Sequence, residues 1–234
     1  MHAANQPDSR FVRANNEAAA PRRRTQEQRR AESEEAMLRA AERLFARQGY
    51  QRTTLTQVGT EAGYTGGLVS HRFGSKEGLL KVVLARLTAA QVALGMTVGL
   101  DATSHLARIE DVIDAHLEAL QRGDAASLAL HAIMGEAMAS VPEARDAIRM
   151  LNHLVLNQLT SLISSGIEQG EFGQDIDATS TAKLVLGTLR GSALQYLATP
   201  DYTDLEGIGG ALKHMLARGL LADCWQDGRR ACRR

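Results

Sequence analysis

Apolar side chains recur along this chain at the three- and four-residue spacing of amphipathic helices, and no segment alternates convincingly as a strand. The pattern predicts a first helix that begins after Thr25 and ends at Gly49. Its apolar stripe consists of Met37, Ala40, Ala41, Leu44 and Phe45. Further helices are predicted at about 55–62, 66–72, 75–97, 104–121, 124–139, 143–168, 178–198 and 204–222. The sequence therefore predicts an all-α protein.

Short polar residues stand where helices of this kind usually begin. Thr25 and Gln28 have the spacing of a capping box, in which each side chain bonds the other residue's backbone N–H. Thr54 and Thr65 precede two short helices, and Gly63 between them permits a sharp turn. Two short helices joined in this way are typical of a helix-turn-helix, whose second helix enters the major groove of DNA.

A set of residues through this region strengthens that interpretation. The set consists of Leu44, Phe45, Gly49, Tyr50, Thr53, Thr54, Val58, Ala62, Gly63, Gly67, Phe73, Ser75, Lys76, Glu77, Leu79 and Leu80. In order and spacing it resembles the DNA-binding domain of the TetR family of transcriptional regulators. The resemblance covers about 50 residues, and the length of the chain is the one expected of that family.

Three positions depart from the family's pattern. Gly59 stands where Ala is usual, and a glycine there weakens a short helix by about 1 kcal/mol. Gly66 stands where Lys, Arg or Pro is common, and Ser70, His71 and Arg72 replace a frequent Tyr-aromatic-His run. Because these last side chains face the bases in the family, the resemblance does not specify the operator sequence.

Composition and resemblance together indicate four parts. Residues 1–24 are expected to form a disordered basic leader, and residues 25–74 a three-helix helix-turn-helix DNA-binding domain. Residues 75–222 are expected to form a larger helical domain for effector binding and dimerisation, and residues 223–234 a flexible basic tail. The implied function is that of a cytoplasmic repressor, released from its operator by a small lipophilic effector. A transcriptional activator, or a helical protein-interaction module without an effector, is the alternative.

Charge is segregated along the chain, although its net value is zero. Residues 21–81 hold 12 basic and 7 acidic side chains, a net charge of +5, whereas residues 82–228 hold 9 and 18, a net charge of −9. Positive charge therefore falls on the segment that resembles a DNA reader, where it would neutralise phosphates. The run from Arg22 to Arg24 is either a solvated leader or an arm that reaches DNA.

The second short helix is the expected recognition element. Thr54, at a helix N-terminus, and Lys76 are suited to phosphates, whereas Ser70, His71 and Arg72 can donate to bases or phosphates. The full set of predicted DNA contacts is Arg24, Thr54, Thr56, Thr65, Gly66, Gly67, Ser70, His71, Arg72 and Lys76.

Residues 178–198 are apolar over more of their circumference than one neighbouring helix can cover, which favours a second partner. Packing within one chain is the alternative. In the TetR family the last two long helices pair with their copies, so the resemblance implies a homodimer on a palindromic double-stranded operator. The two helix-turn-helix domains (residues 25–74 of each subunit, called the reading heads below) would then lie about one helical turn of DNA apart. The predicted interface residues are Leu184, Gly187, Gly191, Leu194, Leu212 and Met215.

The resemblance also implies an effector site among the helices at about 75–168, with the helix at 75–97 as the lever to the reading head. Residues 82–171 contain no Phe, Tyr or Trp, and their methionines (Met96, Met134, Met138 and Met150) favour an adaptable aliphatic cavity. The predicted ligand-binding residues are His116, Met134, Met138 and Asn152. His116 lies on an apolar helix face, where it is a hydrogen-bonded core residue, a polar contact for the ligand or a metal ligand.

Several classes of function find no support in the sequence. It has no nucleophile elbow, phosphate-binding glycine loop or zinc signature, so no enzyme activity, metal or cofactor is predicted. No signal peptide or membrane span is predicted. Cys224 and Cys232 lie close to the C-terminus, where they are either solvent-facing thiols or a redox switch between subunits.

Overall fold

In a computed structural model that describes residues 25–221, the chain forms nine α-helices. The first three are α1 (Gln26–Arg52), α2 (Leu55–Ala62) and α3 (Gly66–Phe73). The others are α4 (Lys76–Thr97), α5 (His105–Gln121), α6 (Ala125–Ala139), α7 (Arg145–Glu168), α8 (Ala178–Ala198) and α9 (Leu205–Leu220). One isolated β-bridge joins Phe172 to Leu221 in the described part. The predicted leader and tail, with Arg24, Cys224 and Cys232, lie outside the described residues.

The helices begin where the capping residues predicted. Thr25 and Gln28 form the expected capping box, and Thr54 forms a second one with Gln57, which the sequence analysis did not single out. Side-chain caps also start α3, α4, α5, α6, α8 and α9, from Thr65, Ser75, Ser104, Asp124, Asp177 and Asp204 respectively. These side chains satisfy backbone N–H groups that a helix leaves without partners in its first turn.

The end of α1 differs from the prediction. Gly49 does have a positive φ, of 81°, with ψ at 166°, but a further helical turn follows it before the chain leaves at Thr53. Such a backbone conformation is essentially restricted to glycine. The consequence is a bend in α1 that directs Gln51 towards α6.

Gly59 has a structural reason that the sequence analysis missed. A Cβ at Gly59 would lie 2.6 Å from the carbonyl carbon of Thr65, and one at Gly66 would lie 2.8 Å from the Cα of Thr56. The two glycines therefore allow α2 and α3 to pack backbone against backbone. The sequence predicted a weaker helix from Gly59, and the structure adds that its missing side chain permits this close approach. Gly66 likewise faces α2.

Two clusters of buried side chains form the core. The first joins the three N-terminal helices to α4, α6 and the start of α7, and it includes Phe45, Val58, Leu80 and Ile133. The second joins α5, α8 and α9 to the rest of α7. The predicted domain boundary at residue 75 thus falls inside the first cluster. Helix α6 is therefore packed as closely with the reading head as with the body behind it.

Among the described residues, α4 is the one helix that is long and apolar enough to cross a membrane. Within the fold it packs against α1, α6 and α7. Its Arg86 donates to both oxygens of Glu35 and lies 2.9 Å from a carboxylate oxygen of Glu42. Burial raises the pKa of Glu42, and the Arg86 charge opposes that rise.

Candidate nucleic-acid interface and ligand cavity

The short helices α2 and α3 form a helix-turn-helix held from beneath by α1. Val58 and Val69 are fully buried between them, and Gly63 makes the turn with φ of 79° and ψ of 26°. Glu61 of α2 binds Arg43 and Arg47 of α1 at 2.8 and 2.6 Å, an arrangement not predicted from the sequence. The two guanidiniums hold α2 against α1 through a shared carboxylate, although both arginine side chains remain exposed to solvent.

Behind the reading head lies a cavity of about 890 Å³, which α4, α5, α6, α7 and α8 line. A second cavity of about 410 Å³ lies between α6, α7 and α8. His131, Met134 and Arg190 line both. No Phe, Tyr or Trp lines either cavity among the described residues, as the composition of residues 82–171 predicted.

All four predicted ligand-binding residues lie at these cavities. His116 lines the larger cavity, Met138 and Asn152 line the smaller, and Met134 lines both. Met150 is exposed and lines neither, so its assignment to an aliphatic cavity is wrong. Helix α8, to which the sequence assigned a role in dimerisation alone, also lines both cavities.

His116 and His131 form an edge-to-face pair with ring centroids 5.3 Å apart. The His131 ring hydrogen bonds to the Ser127 carbonyl at 2.8 Å. His116 interacts with the carbonyl of Leu189, while its Nε2 has no hydrogen-bond partner among the described residues. Burial lowers the pKa of both rings, to about 4 for His116, and each is therefore neutral at pH 7. His116 is thus only half satisfied as a core residue.

Arg190 is the cation that the two cavities share. Arg190 lies on α8, and one of its guanidinium nitrogens donates to Oδ1 of Asn152 on α7. Removal from solvent lowers the pKa of Arg190 to about 10, and it still carries its charge at pH 7. Nothing in the apolar periodicity of residues 178–198 distinguished this residue from an ordinary surface arginine.

Helix α6 connects these cavities to the reading head. Glu136, two residues after Met134, accepts a hydrogen bond from the backbone N–H of Gln51 at 3.1 Å. The side chain of Gln51 donates to the carbonyl of Ser140 at 2.8 Å, and Nζ of Lys76 donates to the carbonyl of Gln51 at 2.8 Å. Gln51 is therefore held by both α6 and α4, three residues before the capping box that starts α2.

Residues 37–83 match the family model for bacterial regulatory proteins of the tetR family. The HTH-type transcriptional repressor BepR of Brucella suis biovar 1 (strain 1330) is 27% identical over 171 residues, which cover 71% of this chain and 81% of BepR. Residues 37–83 therefore form a DNA-binding domain of the tetR family, and the chain as a whole is similar to regulators of that kind. It is therefore a DNA-binding transcriptional regulator.

Solved structures of bacterial regulators share the fold. The fatty acid degradation regulator FadR from Bacillus halodurans has a TM-score of 0.70 at 21% identity, over 80% of this chain and 95% of that one. The transcriptional regulator FadR from Bacillus subtilis, in complex with stearoyl-CoA, has a TM-score of 0.64 at 19% identity, over 80% and 98%. The all-α architecture predicted from the sequence is thereby confirmed.

Most of the predicted DNA contacts lie at the surface of the helix-turn-helix. Thr54, Thr56, Thr65, Gly67 and His71 are exposed. Gly66, Ser70 and Lys76 are half-buried. The Thr54 hydroxyl lies 3.2 Å from both the backbone nitrogen and Oε1 of Gln57, so the cap and a phosphate would compete for it.

Arg72 is the exception. Its side chain is only 12% exposed and turns towards α1, where its guanidinium lies 3.8 Å from the Glu34 carboxylate and 3.5 Å from the Ser33 hydroxyl. The prediction that Arg72 is an exposed reader of bases is wrong for this conformation. The i+3 and i+4 spacing within α3 could not show that α1 lies beside this side chain.

Lys76 combines two roles in the structure. Besides its bond to the carbonyl of Gln51, its ammonium lies 4.4 Å from the centre of the Tyr50 ring. Burial lowers the pKa of Lys76. The residue therefore joins the start of α4 to the last turn of α1, and it still presents its charge next to α3.

The predicted dimer residues divide into two groups. Leu184 and Met215 are 72% and 70% exposed, Leu194 is also exposed, and a Cβ at Gly187 or Gly191 would meet nothing within 4 Å. Leu212, by contrast, is buried in the second core cluster. Its assignment to the interface is wrong, because the buried side of α9, which includes Leu205 and Leu216, also includes this residue.

Proposed function

We propose that this regulator is a homodimeric repressor that leaves a near-palindromic operator when an aliphatic effector enters the cavity behind its reading head. The observation that carries the proposal is the path along α6, from Met134 in the cavity to Glu136 at Gln51. The names of two relatives support it, since BepR is a repressor and the Bacillus subtilis FadR structure contains stearoyl-CoA.

The coupling has a simple physical form. Effector atoms against His131 and Met134 would displace α6, because a packed interior moves as discrete elements and does not deform continuously. Glu136 and Ser140 would then carry Gln51 with them, and the start of α2 would move relative to its copy in the partner subunit. The lever predicted from the sequence was α4, and we propose that α6 shares that role.

Fluorescence anisotropy with labelled fragments from the region upstream of the regulator's own gene tests the function. A repressor should bind one such fragment tightly, with an affinity that falls steeply with salt, and should block transcription from it in a purified system. Increased transcription would instead identify an activator. Failure to bind any genomic fragment, at low salt as well, would leave only the protein-interaction module.

Two substitutions separate phosphate contacts from base contacts. Replacing Lys76 with alanine should weaken binding to operator and random DNA alike, and should reduce the salt slope by about 1. Replacing His71 with alanine should change the preference among operator variants by about 1–3 kcal/mol per affected base pair, with little change in the slope. Anisotropy titrations at graded salt concentrations measure both effects.

Lys81 provides a matched control for Lys76, because it lies one turn further along α4 and its ammonium is paired with Glu77 at 2.6 Å. Its replacement by alanine should leave the salt slope unchanged. Identical behaviour of the Lys76 and His71 variants would contradict the assignment of their roles.

The dimer makes a separate prediction. Glutamate at Leu184 and Met215 would place carboxylates in an apolar interface, so the dissociation constant of the dimer should rise by about 100-fold or more. Light scattering of the purified double variant should then show a monomer. Glutamate at Met150, which is also an exposed apolar residue but lies on α7, serves as the control and should leave the dimer intact. A dimeric double variant would move the interface away from α8 and α9.

A further inference from the structure

Arg190 is an unusual residue for the interior of an aliphatic cavity. It projects from α8 at the place where the two cavities meet. No carboxylate in the described part of the chain forms an ion pair with it, and loss of solvent alone accounts for its lowered pKa. Arg190 is half-buried, and a guanidinium partly withdrawn from water without a counter-charge is destabilising, which makes the position favourable for an anion supplied from outside.

The groups around Arg190 add hydrogen-bond donors but no negative charge. Asn152 of α7 uses its Oδ1 to accept from the guanidinium, which leaves its amide N–H groups to donate elsewhere. His116 and His131 face the same region from α5 and α6, and both are neutral at pH 7 because burial lowers the pKa of each ring.

The one acidic residue that lines either cavity in the described part cannot compensate for this charge. It is Glu171, whose carboxylate accepts from the backbone N–H groups of His105 and Leu106 at 2.8 and 2.9 Å and from the His105 ring at 2.8 Å. These three bonds fix it at the start of α5, where it serves as a cap for that helix.

We propose that Arg190, assisted by the amide of Asn152, binds the carboxylate of a straight-chain aliphatic acid that is the effector of this regulator. The inference rests on the proposed function, because it assigns a chemical class to the same cavity. Leu130, Met134, Leu159 and Leu189 line the larger cavity and would enclose the hydrocarbon chain. A bidentate bond from the guanidinium to the carboxylate would fix one end of the ligand.

The same geometry disfavours other headgroups. An alcohol would leave the guanidinium without a counter-charge, and an amine would be repelled by it. Arg108 also lines the larger cavity, and Arg145 and Arg149 line the smaller, but a nucleotide thioester would bring several negative charges and a bulky headgroup to the one guanidinium at the junction of the two cavities. The carboxylate of a free acid is the headgroup whose charge and size agree with one guanidinium and one amide.

Isothermal titration calorimetry of the full chain tests the assignment. The ligands are octanoate, decanoate, dodecanoate and hexadecanoate, each compared with the primary alcohol of the same length and, for hexadecanoate, with its coenzyme A thioester. The best acid should bind about tenfold or more tightly than its alcohol. In Arg190→Gln that preference should disappear, whereas Arg190→Lys should keep part of it.

Arg149→Gln is the matched control, since Arg149 lines the smaller cavity at its rim and is paired with Asp146 at 2.7 Å. It should keep the preference for the acid. Thermal melting of Arg190→Gln without ligand reports on folding, and the variant should melt no lower than the natural chain, because an uncompensated charge has been removed. A variant that melts lower is replaced by Asn152→Ala, which should weaken the preference without removing it.

The outcomes distinguish this inference from the proposed function. Equal binding of acids and alcohols, binding of the thioester alone, or no binding of any acid overturns the role of Arg190. Salt-dependent operator binding by the same preparation would then leave the repressor function standing. Absence of operator binding together with an intact preference for the acid would overturn the repressor function and leave the role of Arg190 standing.

Discussion

Replacing Gly49 with alanine should destabilise the protein by about 3 kcal/mol or more and abolish operator binding. The backbone at Gly49, with φ of 81° and ψ of 166°, is strained for any residue that has a Cβ. The added carbon would also overlap the Glu136 carboxylate. Relief of that overlap requires the flexible Glu136 side chain to move away, which would break its hydrogen bond from the backbone N–H of Gln51 and loosen the start of α2. Urea denaturation and anisotropy measure the two effects.

Gly63 provides the control for backbone strain. Its φ is 79°, but a Cβ there would meet nothing within 4 Å, so alanine should cost only about 1–2 kcal/mol. Adding Glu136→Ala to Gly49→Ala should cost little further stability, because the bond between Glu136 and Gln51 is already lost in the single variant. A Gly49 variant no less stable than the Gly63 variant, or a double variant that loses as much further stability as Glu136→Ala loses alone, would show that Gly49 and Glu136 are not in close contact here.

The stability of the protein should fall as the pH decreases from about 6.5 to about 4, and His116 should account for about 3 kcal/mol of that fall. Burial lowers the pKa of His116 from 6.5 to about 4, so the unfolded chain takes up a proton in this range before the folded chain does. The state that binds more protons gains as the pH falls, and here it is the unfolded state. His131 of α6 and Arg190 of α8 oppose protonation further, while the Leu189 carbonyl favours it.

Urea denaturation at several pH values within this window measures the effect. Carboxylates such as Glu171, whose pKa is lowered in the fold, also lose stabilising interactions as the pH decreases, so the comparison must be between variants. His116→Gln should show a fall smaller by about 3 kcal/mol than the natural chain. His153→Gln changes an exposed histidine and should follow the natural chain. Equal falls in all three proteins would mean that His116 is accessible to protons in the folded state.

Local chemistry predicted the secondary structure well. The beginning of a helix depends on a few neighbouring atoms, so Thr54, Thr65, Ser75 and Asp177 could be recognised as caps from the sequence alone. Buried stripes follow from helical periodicity in the same way. The exposed surface of the helix-turn-helix was predicted for similar reasons, since most of its residues are close in sequence.

Features that depend on distant neighbours escaped prediction. The burial of Arg72 requires Ser33 and Glu34, about 40 positions earlier in the chain, and the bond from Gln51 to Glu136 joins residues 85 positions apart. Leu212 shows the same difficulty, because helical periodicity defines an apolar face without telling which neighbour covers it. The lack of an ion-pair partner for Arg190 among the described residues is also a tertiary property, since it depends on which acidic groups fold beside it.

Under the proposed function, the position of α6 between the cavities and Gln51 constrains how the effector specificity could change. Substitutions at His131 or Met134 would reshape the cavities, but they would also shift α6 and with it Glu136. Operator binding without effector would then be disturbed as well. Substitutions on α5, α7 and α8 should avoid this effect, because the hydrogen bonds described for Gln51 come from Glu136, Ser140 and Lys76. Engineering of a biosensor from this protein should therefore vary the cavity residues of α5, α7 and α8 first and leave α6 unchanged.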